Sequence, residues 1–192
     1  MRLVLTTAPA DVMLTTSEAK LHLKVDDSTD DALIAGLVKA ATSHIENAVL
    51  HRSLINRTYD LYTDDFPNGY TMELPMPPLS SVTSVKYTDT ANVEQTWAAT
   101  NYKVVTTDDP GKIFAKSFVF PLDLYWLNAA HITFVAGYGA AYTNVPFYDD
   151  VQTAIKLIIG EWYEYRENIN EKLLRTIPNG AMNILMPWRY FR

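Results

Sequence analysis

Four histidines, His22, His44, His51 and His131, come first, because imidazole is the commonest metal ligand and the usual general base near neutral pH. Only His44 and His51 share an element, and at seven residues apart they stand on one helix face two turns from each other, too far to hold one ion. The i, i+4 histidine pair with an intervening Glu that marks a zinc-binding helix is absent. All four read as ordinary surface or partly buried histidines. Asp26, Asp27, Asp30 and Asp31 offer oxygens to a hard cation, but the alternation and glycine of a calcium loop are missing, and helix-start chemistry accounts for them. Glu161, Glu164 and Glu167 suggest paired carboxylates for acid–base work; with Arg166 among them they read as a solvated helix face. Ala136-Gly137-Tyr138-Gly139 follows a strand pattern but lacks a third glycine and a Gly-Lys-Ser/Thr, so it reads as a turn leaving a sheet. No Gly-x-Ser-x-Gly elbow occurs, and the chain has no cysteine, which excludes disulfides, thiolate nucleophiles and thiolate metal sites. The expectation is a protein without a catalytic centre, cofactor or metal, acting through its surfaces.

Those side chains sit on a chain of 192 residues, 48% apolar and 20% charged, the composition of an ordinary globular domain. A domain of this length buries roughly 70% of the surface its unfolded chain exposes, so it folds without staples. The net charge of −6 argues against a broad basic face that grips phosphates, and leaves room only for a minor nucleic-acid contact. The apolar run after Met1 and Arg2 is three residues long, too short for a signal segment, and no stretch approaches the ~20 residues that span a bilayer. The expected location is the cytoplasm, without processing and without a membrane partner.

Thr15 stands three residues before Glu18, the capping-box spacing, and opens a helix over 16–23. Ser28 is the N-cap candidate for a second helix over 29–50, whose stripe Leu33, Ile34, Leu37, Val38, Ala41, Ile45, Ala48 and Val49 recurs at spacings of three and four. From Asn56 the period changes. Tyr59 and Leu61 read as a strand, Asn68-Gly69 as a hairpin signal, and Leu74-Pro-Met-Pro-Pro-Leu79 as an extended edge or rigid crossing, because three of its residues lack an amide hydrogen. Further strands are expected at Val82–Tyr87, Glu94–Ala98, Tyr102–Thr106, Lys112–Ala115 and His131–Ala136. A third helix starts near Pro146, runs to about 168 with the stripe Val151, Ala154, Ile155, Ile158, Ile159 and Trp162, and packs on the second. The fold expected is α+β: an antiparallel bundle of about three helices carrying a small antiparallel β-sheet inserted over about 56–137, with an extended C-terminal tail. Residues 1–180 form a single domain and 181–192 the tail.

Chain ends are ordinarily polar and frayed, whereas this one is apolar, aromatic and locally basic. Ile184, Leu185, Met186, Trp188, Arg189, Tyr190, Phe191 and Arg192 are therefore the candidate partner-binding residues, since aromatics with arginine anchor interfaces. The competing expectation is that this tail folds back onto its own core.

Four stretches together resemble one family. Leu14-Thr-Thr-Ser-Glu-Ala-Lys-Leu-His-Leu-Lys-Val-Asp26, with Asp30-Asp-Ala-Leu-Ile and Ala40-Ala-Thr, looks like the opening of the head–tail connector (adaptor, head-completion) proteins of tailed phages, prophages and gene transfer agents. Leu74-Pro-Met-Pro-Pro-Leu-Ser-Ser-Val-Thr-Ser-Val-Lys-Tyr87 is similar to the family's proline-rich approach to its sheet. Phe134-Val-Ala-Gly-Tyr-Gly139, Val145-Pro146, Ala154-Ile-Lys-Leu and Tyr163-Glu-Tyr-Arg166 match its strand-to-helix passage. The resemblance runs from about Leu14 to Arg166 in the family's order, in the version with a sheet inserted between the helices; it does not extend to Trp188-Arg-Tyr-Phe-Arg192. It implies a connector protein of the virion's head–tail junction, made in the host cytoplasm, that forms a ring, often of twelve subunits, beneath the portal. The implied partners are the portal protein, the next connector, stopper or tail-completion protein, further copies of the chain, and DNA passing through the lumen without sequence-specific binding. An isolated monomer is compatible with that role. An acidic lumen would let DNA slide where a basic one would hold it. The rival reading is a carbohydrate- or surface-binding module of a tail or baseplate, using 12 Tyr and 4 Trp as stacking platforms; a small hydrolase is a third.

Overall fold

The computed structural model describes residues 1–7, 11–117, 119–121, 124–165 and 179–190. The chain divides into two units, one of Met1–Ala10 with Ser53–Ala141, the other of Asp11–Arg52 with Tyr142–Arg192.

The second unit is helical. Its α1 (Thr16–Leu23) begins at the expected capping box: the Thr15 hydroxyl accepts from the Glu18 amide while the Glu18 carboxylate accepts from the Thr15 amide. Helix α2 (Asp31–His44) starts later than its pattern suggests. Asp30, not Ser28, occupies its N-cap, without a side-chain cap bond, because the Asp30 carboxylate is engaged by the Tyr163 hydroxyl at 2.6 Å. The helix continues through a wider π-helical turn, Ile45–Leu50, which buries Glu46 completely and ends at His51 in the left-handed conformation. Helix α3 (Tyr148–Glu164) begins two residues after Pro146, following a short 3₁₀ turn at Tyr142–Asn144; the expected end over 166–168 lies outside the described residues. Val151, Ala154, Ile155, Ile158 and Ile159 are all buried, and α3 packs on α2 as its stripe requires. A fourth helix, α4 (Asn179–Leu185), packs on α3.

The first unit holds two antiparallel sheets where one was expected. The five-stranded sheet has the order β1-β2-β8-β4-β5, from β1 (Arg2–Thr7), β2 (Arg57–Thr63), β4 (Leu79–Thr88), β5 (Glu94–Thr96) and β8 (Ala130–Ala136). The three-stranded sheet has the order β3-β7-β6, from β3 (Thr71–Glu73), β6 (Tyr102–Val105) and β7 (Lys112–Ala115). β1 was not expected, since its short apolar run shows no clean alternation. Asn68-Gly69 does turn the chain, with Gly69 at φ 125°, but it joins strands of different sheets and closes no hairpin. The proline-rich stretch is the crossing from β3 to β4. Alternation in β8 places Ala130, Ile132, Phe134 and Ala136 inward, where they meet residues of both sheets in one core with Leu61, Val85 and Ile113. Phe66, Trp97, Tyr102 and Phe120 form an aromatic cluster there, with Phe66 and Phe120 stacked at 5.0 Å. At Gly137 (φ 137°) a Cβ would overlap the Ile55–Asn56 backbone, so the glycine pair is the turn leaving the sheet.

Candidate functional site: the C-terminal tail

The tail is positioned by α4 and a 3₁₀ turn, Met186–Trp188, which Pro187 helps to start. Helical spacing sends Ala181 and Leu185 inward, and both are fully buried. Ile184 is half-buried and Met186 is 40% exposed. Trp188 turns back onto its own helical unit. Its ring stacks on Phe147 at 4.5 Å and 13°, its indole N–H donates to Asp150 Oδ2 at 2.9 Å, and its carbonyl accepts from Arg52 Nε at 2.8 Å. The Tyr190 amide donates to the Leu50 carbonyl at 2.9 Å, and Arg189 and Tyr190 are half-buried. Phe191 and Arg192 lie outside the described residues. The tail is thus seated by apolar burial and three directed hydrogen bonds, and it turns the outer edges of Met186 and Trp188, the latter 36% exposed, toward solvent. Nothing in this arrangement is chemically reactive; what it offers is a rigid apolar and aromatic edge.

The residues with chemical potential are dispersed. His22 is exposed on α1, His44 meets the Trp162 ring edge-on at 6.3 Å, and His51 terminates the π-helical turn. Asp27 accepts from the Thr29 amide at 2.8 Å, and that bond from the backbone, with help from the Thr29 side chain, holds its carboxyl below the ordinary value. Asp31 pairs with Lys20 at 2.7 Å. Glu164 is exposed, but Glu161 is half-buried with Oε2 enclosed and unbonded, so the solvated reading fails for it; Glu167 lies outside the described residues. Among the described residues no group of three or more His, Asp or Glu is placed to hold a metal ion.

Sequence reasoning missed a connected polar ladder. On the open face of the five-stranded sheet, Asp60 Oδ1 accepts from Thr133 at 2.7 Å and meets His131 Nε2 at 3.1 Å, while Oδ2 accepts from Thr6 at 2.9 Å. His131 stacks on Tyr62 at 4.4 Å, and its Nδ1 lies 3.8 Å from Glu94, itself paired with Lys86 at 2.7 Å. Burial works against the Asp60 charge, but the bonds from Thr133, His131 and Thr6 outweigh it and hold this carboxyl below the ordinary range. All five strands contribute to this ladder. Its traces in the sequence are the polar alternations Asp60, Tyr62 within β2 and His131, Thr133 within β8.

The arrangement can be compared with proteins already known. The Head completion protein family matches residues 12–191. Among solved structures, a chain of the neck of an empty gene transfer agent (GTA) particle, computed with C6 symmetry, superposes with a TM-score of 0.80 at 28% identity, covering 100% of this chain and 97% of that one. A chain of the virion of a native GTA particle gives 0.79 at 28%, and one of the neck of a native GTA particle computed with C12 symmetry gives 0.77 at 29%, each with the same coverage. Among curated proteins no match is found. With 12–191 matched, nearly its whole length, the chain belongs to the Head completion protein family.

Proposed function

We propose that this chain is a structural protein of the head–tail junction of a phage-like particle: a ring subunit that sits beneath the portal of a DNA-filled head, joins it to the next connector or tail component, and lets DNA pass. The carrying observation is the end-to-end likeness, at 28% identity and a TM-score of 0.80, to a neck chain of a GTA particle computed with C6 symmetry, with a second likeness to one computed with C12 symmetry. Identical subunits around an axis need only two unlike, complementary faces, and no reaction centre. The protein works in the virion, after assembly in the host cytoplasm, and catalyses nothing. No helix among the described residues is long and apolar enough to cross a membrane. The exposed edges of Met186 and Trp188, with Arg189 and Tyr190 after them, face the portal or a neighbouring subunit, while Ile184 and Leu185 hold them in place from below; Phe191 and Arg192, outside the described residues, complete the proposed partner-binding set.

Mass-resolved size analysis of the purified protein, alone and mixed with the portal protein encoded beside it, tests this reading. A large complex with one connector per portal subunit is the expected result. Absence of association under every assembly condition would sink the ring and move the weight to a surface-binding module.

A further inference from the structure

One end of the five-stranded sheet carries an apolar tip that the fold does not use. The register fixes which loops share that end: Arg2 pairs with Tyr62, Thr63 with Ala130, Tyr87 with Ala130, and Thr88 with Glu94. Met1, the segment leading into β8 and the β4–β5 turn therefore emerge together, over four strand spacings, or about 19 Å. Trp126 is 75% exposed at this end, beside Leu127, with Met1 and Val93 also at least half exposed. The loop bearing Trp126 is fastened at both feet. Leu124 bridges Asp89, the Tyr125 amide donates to the Thr88 carbonyl at 2.9 Å, the Thr88 amide donates to the Ala129 carbonyl at 2.7 Å, and the Asn128 amide donates to Asp64 Oδ1 at 2.9 Å. An exposed tryptophan on a fastened loop binds without first having to be ordered, which is the property of an interface anchor.

The charges around the tip select the kind of partner. Asp64, Asp65 and Asp89 stand at this end of the sheet with Glu94. Among the described residues, the lysine and arginine side chains on the same strand ends are Lys86, which Glu94 holds, and Arg2, against four carboxylates. An acidic rim repels nucleic-acid phosphates and matches a recess edged with Lys and Arg.

We propose that this end of the sheet, centred on Trp126, docks a different protein of the junction, one that presents an apolar recess edged with basic side chains. The proposal rests on the junction role above and adds a second docking surface, separate from the C-terminal tail. The test uses the full chain, unaltered and as Trp126→Ser, with Asp65→Lys as a second variant that leaves the apolar tip intact. Binding to the purified portal protein and to the next neck protein is measured one at a time, alongside self-association and thermal unfolding. The expected result is a loss of at least about tenfold in affinity for one of the two proteins in Trp126→Ser, a smaller, salt-sensitive loss in Asp65→Lys, and unchanged unfolding and self-association. Unchanged binding to both proteins overturns the proposal, as does a loss confined to self-association, which would make a second copy the occupant. If the unaltered chain binds neither protein, the junction role itself fails, and this surface falls with it.

Discussion

Asp60 takes part in three side-chain hydrogen bonds on the open face of its sheet, and its lowered pKa ties stability to pH. A carboxyl whose folded pKa lies below its unfolded value contributes stability above about 3.9, lost as the pH falls through the folded pKa. Asp60→Ala strands the hydroxyls of Thr6 and Thr133 and should cost about 1–3 kcal/mol at neutral pH, or roughly 2–4 °C in Tm per kcal/mol. Denaturant titrations at pH 7 and pH 3 check the sign: the gap between the natural protein and Asp60→Asn should narrow at the lower pH. A gap that widened in acid would show that the carboxylate is not the stabilised form. This residue was not legible in the sequence. Alternation tells which face Asp60 and His131 occupy, but 71 positions separate them, and only the pairing of β2 with β8 brings them together.

At the scale of elements, local signals read true and long-range ones did not. The Thr15–Glu18 box and the stripe of α3 depend on residues within a turn or two, so their spacing alone specifies them. Ser28 is not the cap, since α2 begins at Asp31 and Asp30 stands at its N-cap with its carboxylate taken by the distant Tyr163, and the split into two sheets failed to show because strand order is set by packing, not by any one strand's sequence. The tail was half legible: its apolar, aromatic character announced a contact, while α4 divides the residues into one face that is buried and one that is open. The division makes a paired prediction. Leu185→Ala should destabilise the fold by about 2–5 kcal/mol in denaturant titration. Met186→Glu, one residue on, should leave unfolding within about 0.5 kcal/mol and weaken association with the portal protein. Intact association in Met186→Glu would remove the open edge from the docking surface.

For the whole molecule, charge is the property that bears most directly on the proposed conduit role. At −6 per chain, the ring proposed above should let duplex DNA through without retaining it. An electrophoretic mobility assay at about 150 mM salt should show no retention of duplex DNA at submicromolar ring; a clear shift there would point to a basic lumen and sink the sliding argument. The class of the fold, the order of its helices and the family likeness were all accessible from the sequence, because each rests on patterns written along the chain. The division into two units was not, because the chain passes between them three times, after Ala10, after Arg52 and after Ala141. That threading sets a timetable during translation. The sheet-bearing unit has all of its residues once Ala141 has left the ribosome, whereas α2, made long before, must wait for α3 to cover its apolar stripe. The nascent chain therefore holds the apolar stripe of α2 without its α3 cover for the whole interval in which the sheet-bearing unit is being made.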